Sequence, residues 1–320
     1  MYTRPTFADI LSARRRISPY VTRTPLRHYP SLSATLGAEV HLKHENYQLT
    51  GSFKVRGGIN LVSQLGDEDK ARGIISASTG NHGQSIAYAG RLFGARAVIV
   101  VPEGANPGKV EAMRDLGADV VFHGADFDES REHVERLCAE FGYRYIHSGN
   151  EPDLIAGVGT YALEIVEDLP DVDAILVPLG GGSGACGTAI AAKAVNPNIQ
   201  VIAVGAAKAP AAYLSWKSGE MVEAPMETAA EGLATGTAFE FPQSIMRDML
   251  DDFLQVSEEE IRSAILMLLE KAHTLAEGAG AASLAGALQI RERLVGKKVA
   301  IVISGGNLSM RQLRDALAGG

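Results

Sequence analysis

The 320-residue sequence is poor in cysteine and aromatic residues, and it contains no long apolar segment. Its cysteines are Cys138 and Cys186, which lack metal-ligand spacing, and such low thiol content is typical of a reduced, cytoplasmic protein. No apolar run reaches the ~20 residues that a membrane helix needs. The Arg14-Arg15-Arg16 run near the N-terminus has no apolar signal core beside it. We therefore expect a cytoplasmic protein without membrane contact.

Positive charge is also in deficit, because 30 Lys and Arg against 38 Asp and Glu give a formal net charge of −8. This balance favours solubility and disfavours a general role on nucleic acid or on anionic membranes. Any anionic ligand must therefore be held by local geometry. Glycine, in contrast, is abundant at 35 residues, against roughly 7% in average proteins. Such an excess indicates sharp turns or close approach of the backbone to a ligand.

Short apolar runs alternate with amphipathic stretches along the chain, which is typical of an α/β protein with mainly parallel strands. Ser257 with Glu260, and Ser309 with Gln312, each predict a capping box at the start of a helix. Several of the predicted strands are apolar throughout, as buried parallel strands are. These strands are Glu39–Lys43, Ile74–Ala77, Ala97–Val101, Asp119–Phe122, Ala174–Leu179, Val201–Gly205 and Val299–Ser304.

A lysine framed by glycines lies in residues 50–58, TGSFKVRGG, at a predicted helix start. A lysine that forms an imine must be partly desolvated, so that its pKa falls and its amine becomes nucleophilic. The ordinary alternative is a surface lysine in a glycine-rich turn, since most lysines are exposed. The local composition alone leaves both interpretations of Lys54 open.

A glycine-rich loop, residues 180–187 (GGGSGACG), follows the predicted strand Ala174–Leu179 and opens a helix. Backbone N–H groups at a helix start favour an anion, and a phosphate is the obvious guest. The pattern Gly182-x-Gly184-x-x-Gly187 also fits a dinucleotide fingerprint, which expects an acidic residue at the end of the next strand. Residues 205–207 there are Gly-Ala-Ala, which weighs against a dinucleotide.

Two further strand ends contain polar side chains. Residues 78–84, STGNHGQ, follow the strand Ile74–Ala77 and place hydroxyl, amide and imidazole groups at a helix start, where a carboxylate would bind. Ordinary helix capping is the alternative for the hydroxyls, and a structural role is the alternative for His82. Residues 304–307, SGGN, follow the last predicted strand.

In this order along the chain, the four segments resemble those of the serine/threonine dehydratase family, the fold type II pyridoxal-phosphate (PLP) enzymes that include serine racemase. The resemblance covers roughly residues 15–310. It implies an α/β fold like that of the tryptophan synthase β subunit. Two open, twisted, mostly parallel sheets are flanked by helices, and the active site lies in the cleft between two lobes. The large PLP-binding domain would comprise residues 1–66 and 150–320, and the small mobile domain residues 67–149.

The resemblance also assigns the cofactor site. Lys54 bears PLP, Phe53 lies against its ring, Asn81 bonds the ring 3′-oxygen and Ser304 faces the pyridine nitrogen. The phosphate is held by the loop Gly180, Gly181, Gly182, Ser183 and Gly184.

Substrate groups follow from the same resemblance. The substrate carboxylate is bound by Ser78, Thr79, Asn81 and His82. Arg131 reaches the site when the small lobe closes, and the loop Ala234–Phe239 contributes to the substrate side-chain pocket. Glu231 and Glu277 lie near the ring, either acting on the cofactor or forming salt bridges.

The implied activity is a PLP-dependent ammonia-lyase, or dehydratase, that converts a β-hydroxy amino acid of the L-threonine or L-serine type to a 2-oxo acid and ammonia. Lys54 is then the general base for the α-proton. Where racemases of the family place a serine opposite the lysine, this chain has Thr79 as the second candidate catalytic residue. Its hydroxyl could still move a proton, but its methyl group crowds the position. Dehydration is therefore favoured over racemisation.

Other functions stay open at this point: serine racemase-type activity, a dehydratase specific for 3-hydroxyaspartate or phenylserine, or a PLP-binding protein without catalysis. A β-replacement synthase is disfavoured, since its Asn-Pro-containing lysine motif is missing. No metal is expected, because Gly205, Ala209 and Ala211 stand where cation-activated relatives have carboxylates. We expect a homodimer with no regulatory domain after the last helix.

Overall fold

Two sheets organise the chain in the computed structural model, which describes residues 2–319. The strands are β1 (Leu26–His28), β2 (Glu39–His44), β3 (Ile74–Ala77), β4 (Ala97–Val101), β5 (Asp119–Phe122), β6 (Arg144–Tyr145), β7 (Ala174–Pro178), β8 (Gln200–Ala206), β9 (Asp252–Val256) and β10 (Lys298–Ile303). One sheet has the order β1-β2-β10-β7-β8-β9, and the other has the order β5-β4-β3-β6. Only the pairing of β1 with β2 is antiparallel among these strands.

Helices connect the strands and cover the sheets. They are α1 (Phe7–Ile17), α2 (Pro30–Leu36), α3 (Lys54–Val62), α4 (Asp67–Arg72), α5 (Asn81–Phe93), α6 (Pro107–Asp115), α7 (Phe127–Phe141), α8 (Pro152–Asp168), α9 (Ser183–Val195), α10 (Ala211–Ser218), α11 (Glu240–Met249), α12 (Glu258–Ala272), α13 (Gly278–Gln289), α14 (Arg291–Leu294) and α15 (Met310–Ala318). Short 3₁₀ turns occur at Glu45–Tyr47 and Glu231–Leu233. Within residues 2–319, no helix combines the length and the apolar character that crossing a bilayer requires.

The predicted α/β architecture is confirmed, and the seven predicted strands occur within one or two residues of their predicted ends. Strands β3, β4 and β7 are buried at every position, which explains why their sequences are apolar without alternation. The sequence missed β1, β6 and β9, which all lie at sheet edges. Edge strands are short or half-exposed, so their apolar pattern is weak.

Both predicted capping boxes are confirmed. The Ser257 hydroxyl accepts the Glu260 N–H while the Glu260 carboxylate accepts the Ser257 N–H, and Ser309 with Gln312 repeats this pattern at α15. Each satisfies two backbone donors that a helix start leaves unpaired.

Glycines allow α3, α8 and α9 to pack unusually closely behind the site. A Cβ on Gly157 of α8 would lie 2.6 Å from the carbonyl oxygen of Arg56 in α3. A Cβ on Gly187 of α9 would lie 2.7 Å from the nitrogen of Gly159 in α8. Part of the glycine excess therefore serves helix contacts, not ligand contacts.

A buried cluster of charges anchors the start of α3. The Arg56 guanidinium, 1% exposed, donates to both oxygens of Glu45 at 2.8 Å and to the two oxygens of Glu164 at 2.7 and 2.9 Å. Lys43 donates to Glu164 at 2.6 Å. Because α3 begins at Lys54, this cluster fixes the backbone two residues beyond the predicted cofactor lysine.

Candidate active site

A cavity of about 260 Å³ lies between the two sheets, at the carboxyl ends of β3, β7 and β10. Such an edge is where α/β proteins bind ligands. The cavity brings together every predicted site residue except Arg131: Phe53, Lys54, Ser78, Thr79, Asn81, His82, Gly180, Gly181, Gly182, Ser183, Gly184 and Ser304.

Lys54 is the first residue of α3, and its amine lies in the cavity wall. Its Nζ donates to the Ser183 hydroxyl at 3.0 Å and lies 5.1 Å from the centre of the Phe53 ring. Burial without a nearby carboxylate lowers the pKa of Lys54 to about 8. About a tenth of this amine is therefore neutral, and nucleophilic, at pH 7.

The glycine loop forms the part of the cavity wall beside Lys54. None of the backbone N–H groups from Gly180 to Gly184 finds a hydrogen-bond acceptor among the described residues. Gly182 has φ +91°, a left-handed conformation that favours glycine, and a Cβ on Gly181 would lie 2.6 Å from the Phe239 ring. The loop therefore presents a row of donors at the start of α9 in a space that side chains would fill.

The side-chain amide of Asn81, at the start of α5, is held at both ends. Its Nδ2 donates to Glu277 Oε1, and its Oδ1 accepts from Asn307 Nδ2 at 2.7 Å. Asn307 Nδ2 also donates to the carbonyl oxygen of Thr50 at 2.9 Å. Burial raises the pKa of Glu277, while Lys109 and Asn81 act in the opposite direction. One N–H of the Asn81 amide remains for a ligand.

The other polar groups at the start of α5 differ in how many hydrogen bonds they make within the protein. The Ser78 hydroxyl accepts from the N–H groups of Gly80 at 3.2 Å and Gly83 at 2.9 Å, so it caps the helix as its alternative interpretation predicted. The His82 ring is buried, and burial lowers its pKa to about 3, so the ring is neutral near pH 7. Its Nε2 lies 3.4 Å from the Ile146 carbonyl oxygen.

Ser304 directly follows β10 and is buried in the cavity wall. Its carbonyl oxygen accepts the Phe53 N–H at 3.0 Å, which ties the lysine segment to the end of the strand. Its hydroxyl makes no hydrogen bond within residues 2–319, so it is available to a ligand. The Ser304 hydroxyl adds no charge to the cavity wall, whereas a carboxylate at this position would add a negative charge.

Arg131 does not reach this cavity. It lies on α7 with its side chain 34% exposed, between Asp128 at 3.6 Å and Glu135 at 3.4 Å. It lines a second cavity of about 250 Å³, which shares Phe239 with the first. The structure thus places Arg131 beside the predicted site and not in it.

Several lining residues had no recognisable sequence signal. Of the predicted loop Ala234–Phe239, Ala234, Thr235 and Phe239 line the main cavity, as do Glu231 and Glu277. The residues that the sequence missed include Phe127, Ser148, Met226, Thr228 and above all Lys109, whose Nζ donates to Glu231 at 2.7 Å. Lys109 follows a Pro-Gly pair far from any motif, and only folding brings it to the site.

The donor set fits PLP, a phosphate monoester with an aldehyde, a ring nitrogen and a ring hydroxyl. The row of free N–H groups suits the phosphate, the desolvated Lys54 amine suits the aldehyde, and the free Ser304 hydroxyl suits the ring nitrogen. No group of three or more candidate metal-ligating side chains was found in residues 2–319.

Comparison with known proteins agrees with this fit. A family model described as "Pyridoxal-phosphate dependent enzyme" matches residues 17–305. The L-threonine ammonia-lyase of Thermotoga maritima is 42% identical over 96% of this chain and 77% of its own length. The L-threo-3-hydroxyaspartate ammonia-lyase of Saccharomyces cerevisiae is 38% identical over 98% of this chain and 97% of its own.

Among solved structures, the processed form of threonine deaminase isoform 2 from Solanum lycopersicum superposes with a TM-score of 0.93. It is 32% identical and covers 97% of this chain and 91% of its own. The predicted family and fold are therefore confirmed, and the cofactor is PLP. The chain belongs to the pyridoxal-phosphate dependent enzymes, in the group that contains the threonine ammonia-lyases.

Proposed function

We propose that this chain is an ammonia-lyase that eliminates water from a β-hydroxy amino acid of the L-threonine or L-serine type, giving a 2-oxo acid and ammonia. The observation that supports this most directly is the single cavity that joins a desolvated lysine to a glycine loop of free N–H donors. The names of the similar ammonia-lyases support the same reaction class.

In this proposal the cofactor is held by contacts that the cavity wall offers. The phosphate would be bound by the backbone N–H groups of Gly180, Gly181, Gly182, Ser183 and Gly184 and by the Ser183 hydroxyl. Lys54 would hold the aldehyde carbon, Phe53 would cover one face of the ring, Asn81 would donate to the ring oxygen and Ser304 to the ring nitrogen. All of these residues line the cavity. PLP, when bound, withdraws electrons from the substrate α-carbon and so makes the α-proton acidic.

The Lys54 amine is the proposed general base. Its lowered pKa, about 8, is near the operating pH, where a base is neutral often enough to accept a proton and acidic enough to return it. The substrate amine would take the place of the Lys54 amine on the aldehyde carbon, which leaves Lys54 free. The freed Lys54 amine would then take the α-proton and return a proton to the departing β-hydroxyl, so that water leaves. The released enamine takes up water to give the 2-oxo acid and ammonia.

The substrate carboxylate is proposed to bind at the start of α5, where Ser78, Thr79, Asn81 and His82 face the cavity. Neutral His82 has a single ring N–H, which would donate to the carboxylate in place of the 3.4 Å contact between Nε2 and the Ile146 carbonyl oxygen. Ser78 can still donate its hydroxyl proton while it accepts from the helix N–H groups. The Thr79 hydroxyl lies in the same wall, and its methyl group occupies space that a serine would leave free.

In this proposal the chain folds into two domains, whose cleft forms the site. Residues 1–66 and 150–320 form a large PLP-binding domain, and residues 67–149 form a small mobile domain that brings Arg131 to the substrate. The partition of the strands between two sheets supports this division. A homodimer and a cytoplasmic location complete the proposal, supported by the frequency of dimers and by two free cysteines.

A substrate panel tests the proposed reaction. The PLP-loaded protein is incubated with L-threonine, L-serine, L-threo-3-hydroxyaspartate and L-phenylserine, and 2-oxo acid, ammonia and the enantiomers of the remaining amino acid are measured. Equal amounts of oxo acid and ammonia from L-threonine or L-serine would support the proposal. Inversion of L-serine without ammonia would favour a racemase, and bound PLP without turnover of any substrate would favour a binding protein.

A further inference from the structure

Lys109 is a buried lysine that crosses the cleft. It lies in the first turn of α6, within the part of the chain that forms the four-stranded sheet, and its side chain is 9% exposed. Its Nζ donates to Glu231 Oε2 at 2.7 Å and lies 3.9 Å from Glu277 Oε2. Both carboxylates belong to the part of the chain that forms the six-stranded sheet.

The stem of Lys109 packs on the turn that precedes Asn81. A Cβ on Gly80 would lie 3.2 Å from Lys109 Cδ, so the glycine leaves the space that the lysine fills. Among the lysines and arginines of residues 2–319, Lys54 and Lys109 are the ones that line the main cavity. A lysine is rarely buried unless its charge is paired, and both partners of Lys109 face the site.

Glu277 transmits the position of Lys109 to Asn81. One oxygen of the Glu277 carboxylate faces Lys109, and the other accepts from Asn81 Nδ2. Without the Lys109 charge, burial favours the protonated form of Glu277 and weakens the charged hydrogen bond that orients the amide. Asn307 alone would then hold Asn81, at its oxygen end.

We propose that Lys109 is a positioning residue: through Glu277 it orients the Asn81 amide towards the PLP ring, and through Glu231 it fastens α6 across the cleft. The inference rests on the proposed contact of Asn81 with the cofactor. Lys109 itself touches neither the aldehyde carbon nor the transferred proton in this proposal. It acts through a carboxylate and an amide.

The test compares Lys109→Met, which keeps the length but removes the charge, with Lys109→Arg, which keeps the charge. Lys193→Met is the matched control, because Lys193 forms a 2.7 Å ion pair with Asp251 on another surface. The dissociation constant of PLP from each apoenzyme and the visible absorption band of each loaded enzyme are measured. Circular dichroism and Trp216 fluorescence check folding, and Lys109→Gln replaces Lys109→Met if the latter does not fold.

Lys109→Met should weaken PLP binding about tenfold, as expected for loss of a hydrogen bond to a charged group, and should shift the absorption band. Lys109→Arg should restore most of the affinity, and Lys193→Met should match the wild type. In a Glu277→Gln background, Lys109→Met should have little further effect. Unchanged affinity and band in Lys109→Met, or full additivity with Glu277→Gln, would overturn the inference.

These outcomes separate the inference from the proposed function. Loss of PLP affinity in Lys109→Met, in a protein that releases no ammonia from any substrate, would support the positioning role and contradict the lyase. Normal ammonia release by the wild type, with unaltered PLP binding in Lys109→Met, would support the lyase and contradict the positioning role.

Discussion

Replacement of Arg56 by methionine should destabilise the protein far more than a similar change at the surface. Arg56→Met leaves Glu45, which is fully buried, with the Thr24 hydroxyl but no directly paired cation, while Glu164 keeps Lys43 at 2.6 Å. Burial acts to raise the pKa of Glu45, but Arg56, with smaller effects from Lys43 and Thr24, holds that pKa below its usual range. Removing one partner of such a pair costs about 3–5 kcal/mol, a large part of the roughly 5–15 kcal/mol that stabilises a domain.

Urea unfolding followed by the fluorescence of Trp216 provides the assay, since this is the sole tryptophan. Arg23→Met is the control, because Arg23 also pairs with two carboxylates, Glu167 and Asp168, but has a side chain that is 48% exposed. It should cost less than about 1 kcal/mol. Equal losses of unfolding free energy in the two variants would contradict the conclusion that the buried charges anchor α3.

Three further predictions concern the cofactor. Gly181→Ala should weaken PLP binding about tenfold or more in an equilibrium titration, because its Cβ would lie 2.6 Å from the Phe239 ring. Gly66→Ala is the control, since its Cβ would meet no atom within 4 Å, and it should not change the affinity. Equal PLP affinities of the two variants would contradict the close-approach explanation. PLP uptake by the apoenzyme should accelerate with rising pH, because only the neutral Lys54 amine adds to an aldehyde. The midpoint should lie near pH 8 and not near 10.5, the ordinary pKa of lysine. A stopped-flow pH profile without a midpoint near 8 would refute the lowered pKa. EDTA should leave ammonia release unchanged, since Gly205, Ala209 and Ala211 offer no carboxylate for a cation. Loss of ammonia release in EDTA, reversed only by an added divalent cation, would contradict this prediction.

Local patterns predicted the α/β architecture, and the family resemblance predicted most of the cavity wall. Buried strands such as β4 and β7 are recognisable from their unbroken apolar runs, and ligands bind at the carboxyl ends of such parallel strands. Phe53, Asn81 and Ser304 were assigned to the site through the resemblance of their segments, and the cavity contains them.

Lys109 shows what the sequence could not reveal. Its partners, Glu231 and Glu277, are more than a hundred residues away, and no local pattern records a charge pair across a cleft. Arg131 shows a different limit. The family resemblance indicates a substrate contact, but in the structure Arg131 pairs with Asp128 and Glu135 of its own helix α7. Whether Arg131 reaches the cavity depends on how the two lobes lie, which no local pattern records. Long-range pairing and lobe position are properties of the folded chain.

The identity of the lysine that bears the cofactor tests the central claim most directly. The PLP-loaded protein is reduced with borohydride, which fixes the cofactor–lysine bond, then digested, and the labelled peptide is sequenced by mass spectrometry. The label should lie on Lys54, and Lys54→Ala should lack both the label and visible absorption. A label on Lys109, the other lysine in the cavity wall, or full turnover by Lys54→Ala, would contradict the assignment.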